Sequence, residues 1–158
     1  LRDGGMDMDS LAKWIENNKM NIQQWVFVTT LKYLIKGGRI SKTTGLIGGV
    51  LGICPLIYLN KEGKLFPYEK QRSKKKVIKA IVDRMAEFAE DGTDYSGKCY
   101  ISHANCREDA DAVIEKIKET FPKISDIRLF NIGTVMGSHC GPGAVAVFYW
   151  GKDRKEME

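Results

Sequence analysis

The sequence predicts an α/β (α+β) two-layer sandwich, a mixed sheet of about six strands with helices mainly on one face. Three observations point there. The 158 residues are 43% hydrophobic, the size of one domain with enough apolar side chain for a core. The element order reads α-β-α-α-β-β-α-β-α-β-β, with too few strands separated by helices for a doubly wound parallel sheet. No phosphate-loop lysine motif is present.

Asp9 or Ser10 can cap a first helix through Asn18, with Leu11, Trp14 and Ile15 on one face. Gln24–Val28 reads as a strand, and Leu31–Lys36 as a helix that Gly37 ends as a left-handed cap. Gly37-Gly38-Arg39-Ile40 is a tight turn, and Arg39 is there either a solvated turn residue or a presented cation. Thr43–Gly52 reads as a helix with small residues on one side and Leu46, Ile47, Val50 and Leu51 on the other. Its small residues either pack closely on a neighbour or leave room for a slender ligand. Pro55 ends it, and Leu56–Leu59 continues as a strand; Asn60–Gly63 turns, and Lys64–Arg72 returns as a hairpin partner.

Ser73 to Glu90 is the best-formed helix, with Val77, Ile78, Ile81, Val82, Met85, Phe88 and Ala89 at three- and four-residue spacing. Its first turn, Lys74-Lys75-Lys76, opposes the helix dipole. That is either a solvated basic run, cheap under physiological screening, or charge kept to meet an anion. Gly97–His103 is a strand, and Glu108–Thr120 a helix with Ala112, Val113, Ile117 and Phe121 inward. His103 ends its strand, where a lone histidine can be functional but is more often structural.

Between the strands Ile127–Phe130 and Ala144–Trp150 lies N-I-G-T-V-M-G-S-H-C-G-P-G, residues Asn131 to Gly143. It holds Gly133, Gly137, Gly141 and Gly143 beside Thr134, Ser138 and His139. Glycine admits positive φ and close approach of backbone to a ligand. The stretch is expected to be a loop that presents N–H groups, hydroxyls and an imidazole to an anion, or simply a connection that needs positive φ.

The excess of 25 Lys+Arg over 20 Asp+Glu gives +5, a balance that favours anionic partners without naming one. The longest apolar run, Leu46–Leu59, contains three glycines and a proline and falls short of a membrane span of about 18–20 residues, so no stable membrane insertion is expected. Cys54, Cys99, Cys106 and Cys140 are scattered, which reads as free thiols in a reducing cytoplasm. Histidines and cysteines lack metal-ligand spacing, so no metal and no cofactor is expected. His139 and Cys140 are sequence neighbours with diverging side chains, a poor catalytic pair. The basic cluster around residues 70–79 lacks interleaved aromatics and there is no helix-turn-helix pattern, so no nucleic acid is expected.

Three ordered stretches carry a family resemblance: Leu31-Lys32-Tyr33-Leu34-Ile35-Lys36-Gly37-Gly38-Arg39-Ile40; Gly63-Lys64-Leu65 running into Glu69-Lys70-Gln71-Arg72-Ser73-Lys74-Lys75; and Ile132 through Gly143. The chain resembles the C-terminal half of the DegV family of bacterial fatty-acid-binding proteins. Ser138 and Cys140 stand where that family commonly has Thr. The resemblance implies one C-terminal lobe over residues 1–158, divided into a leading helix 1–20, a core 21–151 and a charged tail 152–158. With no Met at Leu1, the chain is expected to be half of something longer.

The resemblance further implies a long-chain fatty acid held between two lobes. The carboxylate would lie near His139, Arg39 and Arg72, with Thr134 and Ser138 in the same loop, and would be presented to a fatty-acid kinase that feeds phospholipid synthesis. The helix with Leu46, Ile47, Val50 and Leu51 is the expected acyl channel. On this reading the chain is a carrier and not an enzyme, and the isolated lobe, with an apolar lobe-facing surface, is prone to self-association. The alternatives are a small-anion hydrolase or transferase with His139 as general base, and a DNA-binding regulator, whose mark would be strongly salt-dependent binding.

Overall fold

In the computed structural model, residues 1–41 and 52–154 are described. One six-stranded sheet runs in the order β3-β2-β1-β6-β4-β5. Its strands are β1 (Ile22–Phe27), β2 (Cys54–Leu59), β3 (Leu65–Gln71), β4 (Cys99–Ala104), β5 (Ile127–Asn131) and β6 (Ala144–Trp150). The helices are α1 (Met8–Asn18), α2 (Lys32–Lys36), α3 (Lys74–Phe88), α4 (Arg107–Thr120) and α5 (Thr134–Cys140). All strand pairs are antiparallel except β4 with β5. The mixed two-layer sandwich expected from the sequence is the observed architecture.

The main core lies between the sheet and α3 with α4. Alternation sends Trp25 and Phe27, Leu56 and Tyr58, Ile101, and Val145 and Val147 to this face. They meet Val77, Ile81 and Met85 of α3 and Val113 and Ile117 of α4. Ser73 caps α3 by accepting from the Lys76 N–H at 3.3 Å. Lys74, in the basic first turn, is drawn to Asp109 of α4 at 2.8 Å, so one of those three cations ties two helices together. A smaller core covers one end of the opposite face, where Leu34 of α2 and Cys140 of α5 pack on Val28, Ile57 and Ala144.

Several local expectations are corrected. Helix α1 is capped by Asp7, whose carboxylate accepts from the Ser10 N–H at 3.0 Å, two or three residues before the expected Asp9 or Ser10. Pro55 lies inside β2 rather than ending a helix; it lacks an N–H, but its carbonyl accepts from Val28. The stretch after β5 is not a loop. It forms α5, because Gly133 and Gly137 accept the Gly137 and Gly141 N–H groups as a helix requires, and Gly141 leaves the helix at φ +74°. The expected helix Thr43–Gly52, with Leu46, Ile47, Val50 and Leu51, falls on 42–51, outside the described residues.

Candidate functional site

The register gathers the candidate residues at one end of the sheet. Phe27 at the end of β1 lies opposite Leu56 near the start of β2 and Val145 near the start of β6. Gln71 at the end of β3 pairs with Cys54, Ala104 at the end of β4 with Ala144, and Asn131 at the end of β5 with His103. Helices α2 and α5 follow β1 and β5 at this end, and Arg72 follows β3.

The closest association is around Gly37. The His139 imidazole of α5 packs against Gly37 at the end of α2, leaving no space for a side chain there. Arg39 turns back so that its Nη1 donates to the Gly37 carbonyl at 3.2 Å. One glycine therefore carries a guanidinium on its carbonyl and an imidazole on its α-carbon. A second close approach fixes the helix pair: the Tyr33 ring covers Gly141, whose positive φ already disfavours a Cβ.

Arg72 is exposed at the end of β3, two strand spacings or about 10 Å lateral to β1. Among the described residues, neither Arg72 nor His139 has a side-chain hydrogen bond or ion pair. Thr134 opens α5 and is exposed. The Ser138 hydroxyl donates to the Val135 carbonyl at 2.7 Å, which spends its proton inside the helix. The Gly137, Gly141 and Gly143 N–H groups donate to the carbonyls of Gly133, Gly137 and Ala104. These glycines therefore serve helix formation and close packing. His103 is buried and accepts from the Cys106 N–H at 3.3 Å through Nδ1, a structural use.

An apolar groove of about 320 Å³ runs from this end along the sheet face that α3 and α4 leave open. Val26, Leu59, Ala146 and Phe148 line it from the sheet, and Leu34 and Met136 from α2 and α5. The sequence reading missed it, since it arises where strands distant in sequence align their second faces. A signal was present in β6, Ala144–Trp150, which is apolar at both alternating sets of positions. Cys140 also lines the groove, and burial pushes its thiol above the ordinary value. Burial raises Cys54 and Cys106 as well, and holds Cys99 up at about 12. None of the four is an activated thiolate.

On α5, Val135 and the groove-lining Met136 are 72% and 60% exposed, with Phe130 of β5 also exposed nearby in sequence. No helix among the described residues is long and apolar enough to cross a membrane.

Fold and site together define a mixed α/β lobe with an apolar groove between the sheet and the helices α2 and α5. A family model described as "Uncharacterised protein, DegV family" matches residues 1–152, and the chain belongs to the DegV family. It is 35% identical over 156 residues to the DegV domain-containing protein CPE0026 of Clostridium perfringens, covering 99% of this chain and 52% of that one. A solved structure of a fatty acid binding DegV family protein, SAG1342 of Streptococcus agalactiae, superposes with a TM-score of 0.78 at 30% identity, over 96% of this chain and 52% of that one. The fold is also that of the Streptococcus pneumoniae Fatty Acid Kinase (Fak) B3 protein loaded with linoleic acid, at TM-score 0.83 and 23% identity, over 96% and 52% of the two chains. The chain spans about half the length of the relatives it matches.

Proposed function

We propose that this chain is the C-terminal lobe of a two-lobed fatty-acid carrier that works in the cytoplasm and has no catalytic chemistry of its own. The carrying observation is the groove of about 320 Å³ walled on one side by α2 and α5, the two helices whose junction brings His139 and Arg39 to Gly37. Each buried methylene of an acyl tail contributes about 0.8 kcal/mol, so the groove supplies affinity. The cationic end fixes orientation, because a carboxylate draws charge-assisted hydrogen bonds from guanidinium and imidazole donors. The 30% identical SAG1342 protein, described as fatty acid binding, supports the same ligand class.

In this reading Arg72 and His139 face the head group and stabilise the acyl phosphate made when a partner kinase phosphorylates the carboxylate. Thr134 and the acceptor side of Ser138 are proposed to serve the same head group from α5. Residues Leu46, Ile47, Val50 and Leu51 are proposed to complete the wall of the tail channel.

Native mass spectrometry followed by lipid extraction tests this, run on this chain and on the protein in the longest form its gene encodes. Fatty acid on the longer form alone supports a site shared between lobes, and fatty acid on both places the whole groove in this lobe. If neither takes up added fatty acid while the protein turns over a small anion in a manner lost with His139→Ala, the carrier reading is wrong and the general-base enzyme replaces it.

A further inference from the structure

Two polar side chains interrupt the wall of the apolar groove. Gln24 of β1 and Ser102 of β4 both line it, one on either side of the central strand β6. Gln24 lies opposite Phe148, and Ser102 opposite Ala146. Both are half-buried, and among the described residues neither side chain makes a hydrogen bond. Their rows are two residues apart along β6, about 7 Å. Neither is at the α2–α5 end of the sheet: Ser102 is one same-face step inward from Ala104 and Ala144, and Gln24 a further step.

A saturated tail lying along this wall would cover a carboxamide and a hydroxyl with methylenes, and covering a polar group without a partner carries a desolvation cost. The carboxamide offers two donors and an acceptor, and the hydroxyl offers one donor and acceptor lone pairs. Both are uncharged and can donate as well as accept. They match an alcohol oxygen on the chain better than a second carboxylate, which would need a compensating cation.

We propose that the groove selects a long-chain fatty acid carrying a hydroxyl part-way along its tail, held by Gln24 and Ser102. The proposal rests on the fatty-acid reading above and names the substrate class within it. With the head group at the α2–α5 end, as the carrier reading has it, only hydroxyls at particular mid-chain carbons reach these rows. The preference is therefore positional as well as chemical.

The experiment is competitive displacement of a fluorescent fatty acid by stearic acid and by hydroxystearic acids substituted at successive mid-chain carbons, on the protein in the longest form its gene encodes. At least one positional isomer is expected to bind about three- to tenfold more tightly than stearic acid, the worth of one net hydrogen bond. Gln24→Leu or Ser102→Ala is expected to bring the affinity ratio of that isomer to stearic acid down to about one, with the melting temperature showing that each variant is folded. Stearate binding with no isomer preferred, or a preference that survives both substitutions, overturns the selectivity and leaves the carrier reading intact. Failure of stearate and every isomer to displace the probe overturns both.

Discussion

His139 and Gly37 are in van der Waals contact across the α2–α5 junction, and the imidazole occupies the space that any side chain at position 37 would take. Gly37 has φ −80°, a value every residue adopts, so its requirement for glycine is steric and not conformational. Gly37→Ala should displace the His139 ring while costing little or no stability. Two histidines are present in the chain, and NMR of the imidazole resonances would follow the effect directly. A shift at His139 with His103 unmoved is expected; unchanged resonances at both would disprove the contact.

The proposed division of labour between tail and head group separates binding from transfer. His139→Ala and Arg72→Ala should lower the rate at which a partner kinase phosphorylates bound acid by more than they weaken acid binding. Removing a hydrogen bond to a charged group costs about 1.5–3 kcal/mol, on the order of ten- to a hundredfold in rate. Equal transfer rates for variant and parent would remove both residues from the head-group site.

Ala146 lies on the floor of the groove in register with Val26 and Ser102. Ala146→Leu should project methyl groups into the tail path and weaken fatty-acid binding about tenfold or more, at about 0.8 kcal/mol per displaced methylene. Overpacking costs about 1–3 kcal/mol of stability, so affinity is read beside a thermal melt. Undiminished affinity in a folded variant would place the tail elsewhere.

Cys140 gives a chemical footprint of occupancy. It lines the groove, whereas Cys99 is fully buried under the other face. Saturating fatty acid should slow alkylation of Cys140 by a maleimide, and Cys99 should remain unreactive with or without ligand. Ligand-independent labelling of Cys140 would count against the groove as the tail site.

The buried thiol of Cys99 also makes stability depend on alkaline pH. Its value is about 12 in the fold against an ordinary 9.0, so between those limits the unfolded chain has released a proton that the folded chain retains. Stability is therefore unaffected below about pH 9 and falls as pH rises toward 12, by up to about 1.4 kcal/mol per pH unit for this one group. Burial shifts Tyr149 in the same direction. Melting temperature against pH should bend downward above pH 9, and less steeply in Cys99→Ala.

Elements whose signal is local were legible in the sequence. The three- and four-residue spacing from Val77 to Met85 marked α3, and Ser73 marked its cap. The hairpin of β2 and β3 was visible from Asn60–Gly63, whose turn the Asn60 side chain closes on the Glu62 and Lys64 N–H groups. Helix α5 was hidden because three of its flanking and internal positions, Gly133, Gly137 and Gly141, are glycines, which disfavour helix by propensity; packing of Cys140 under Val28 and of Tyr33 on Gly141 overrides that. Arg39 and His139 were identified individually, but their meeting at Gly37 depends on α2–α5 packing that no sequence spacing records. The groove required knowing that β1 and β4 flank β6.

The position of β6 constrains how the chain can be made. Strand β6, formed by residues 144–150, is inserted between β1 and β4 and, among the described residues, is the one strand whose pairing joins β3-β2-β1 to β4-β5. Pairing of Ile22 with Trp150 closes a span of more than a hundred residues, and such long-range pairings slow folding. During synthesis the two partial sheets stay unjoined until residues 144–150 emerge from the ribosome, each with an open edge at β1 or β4 that β6 later covers. A nascent chain arrested before Ala144 should thus be protease-sensitive and recruit chaperones, and one released after Trp150 should become resistant in a single step.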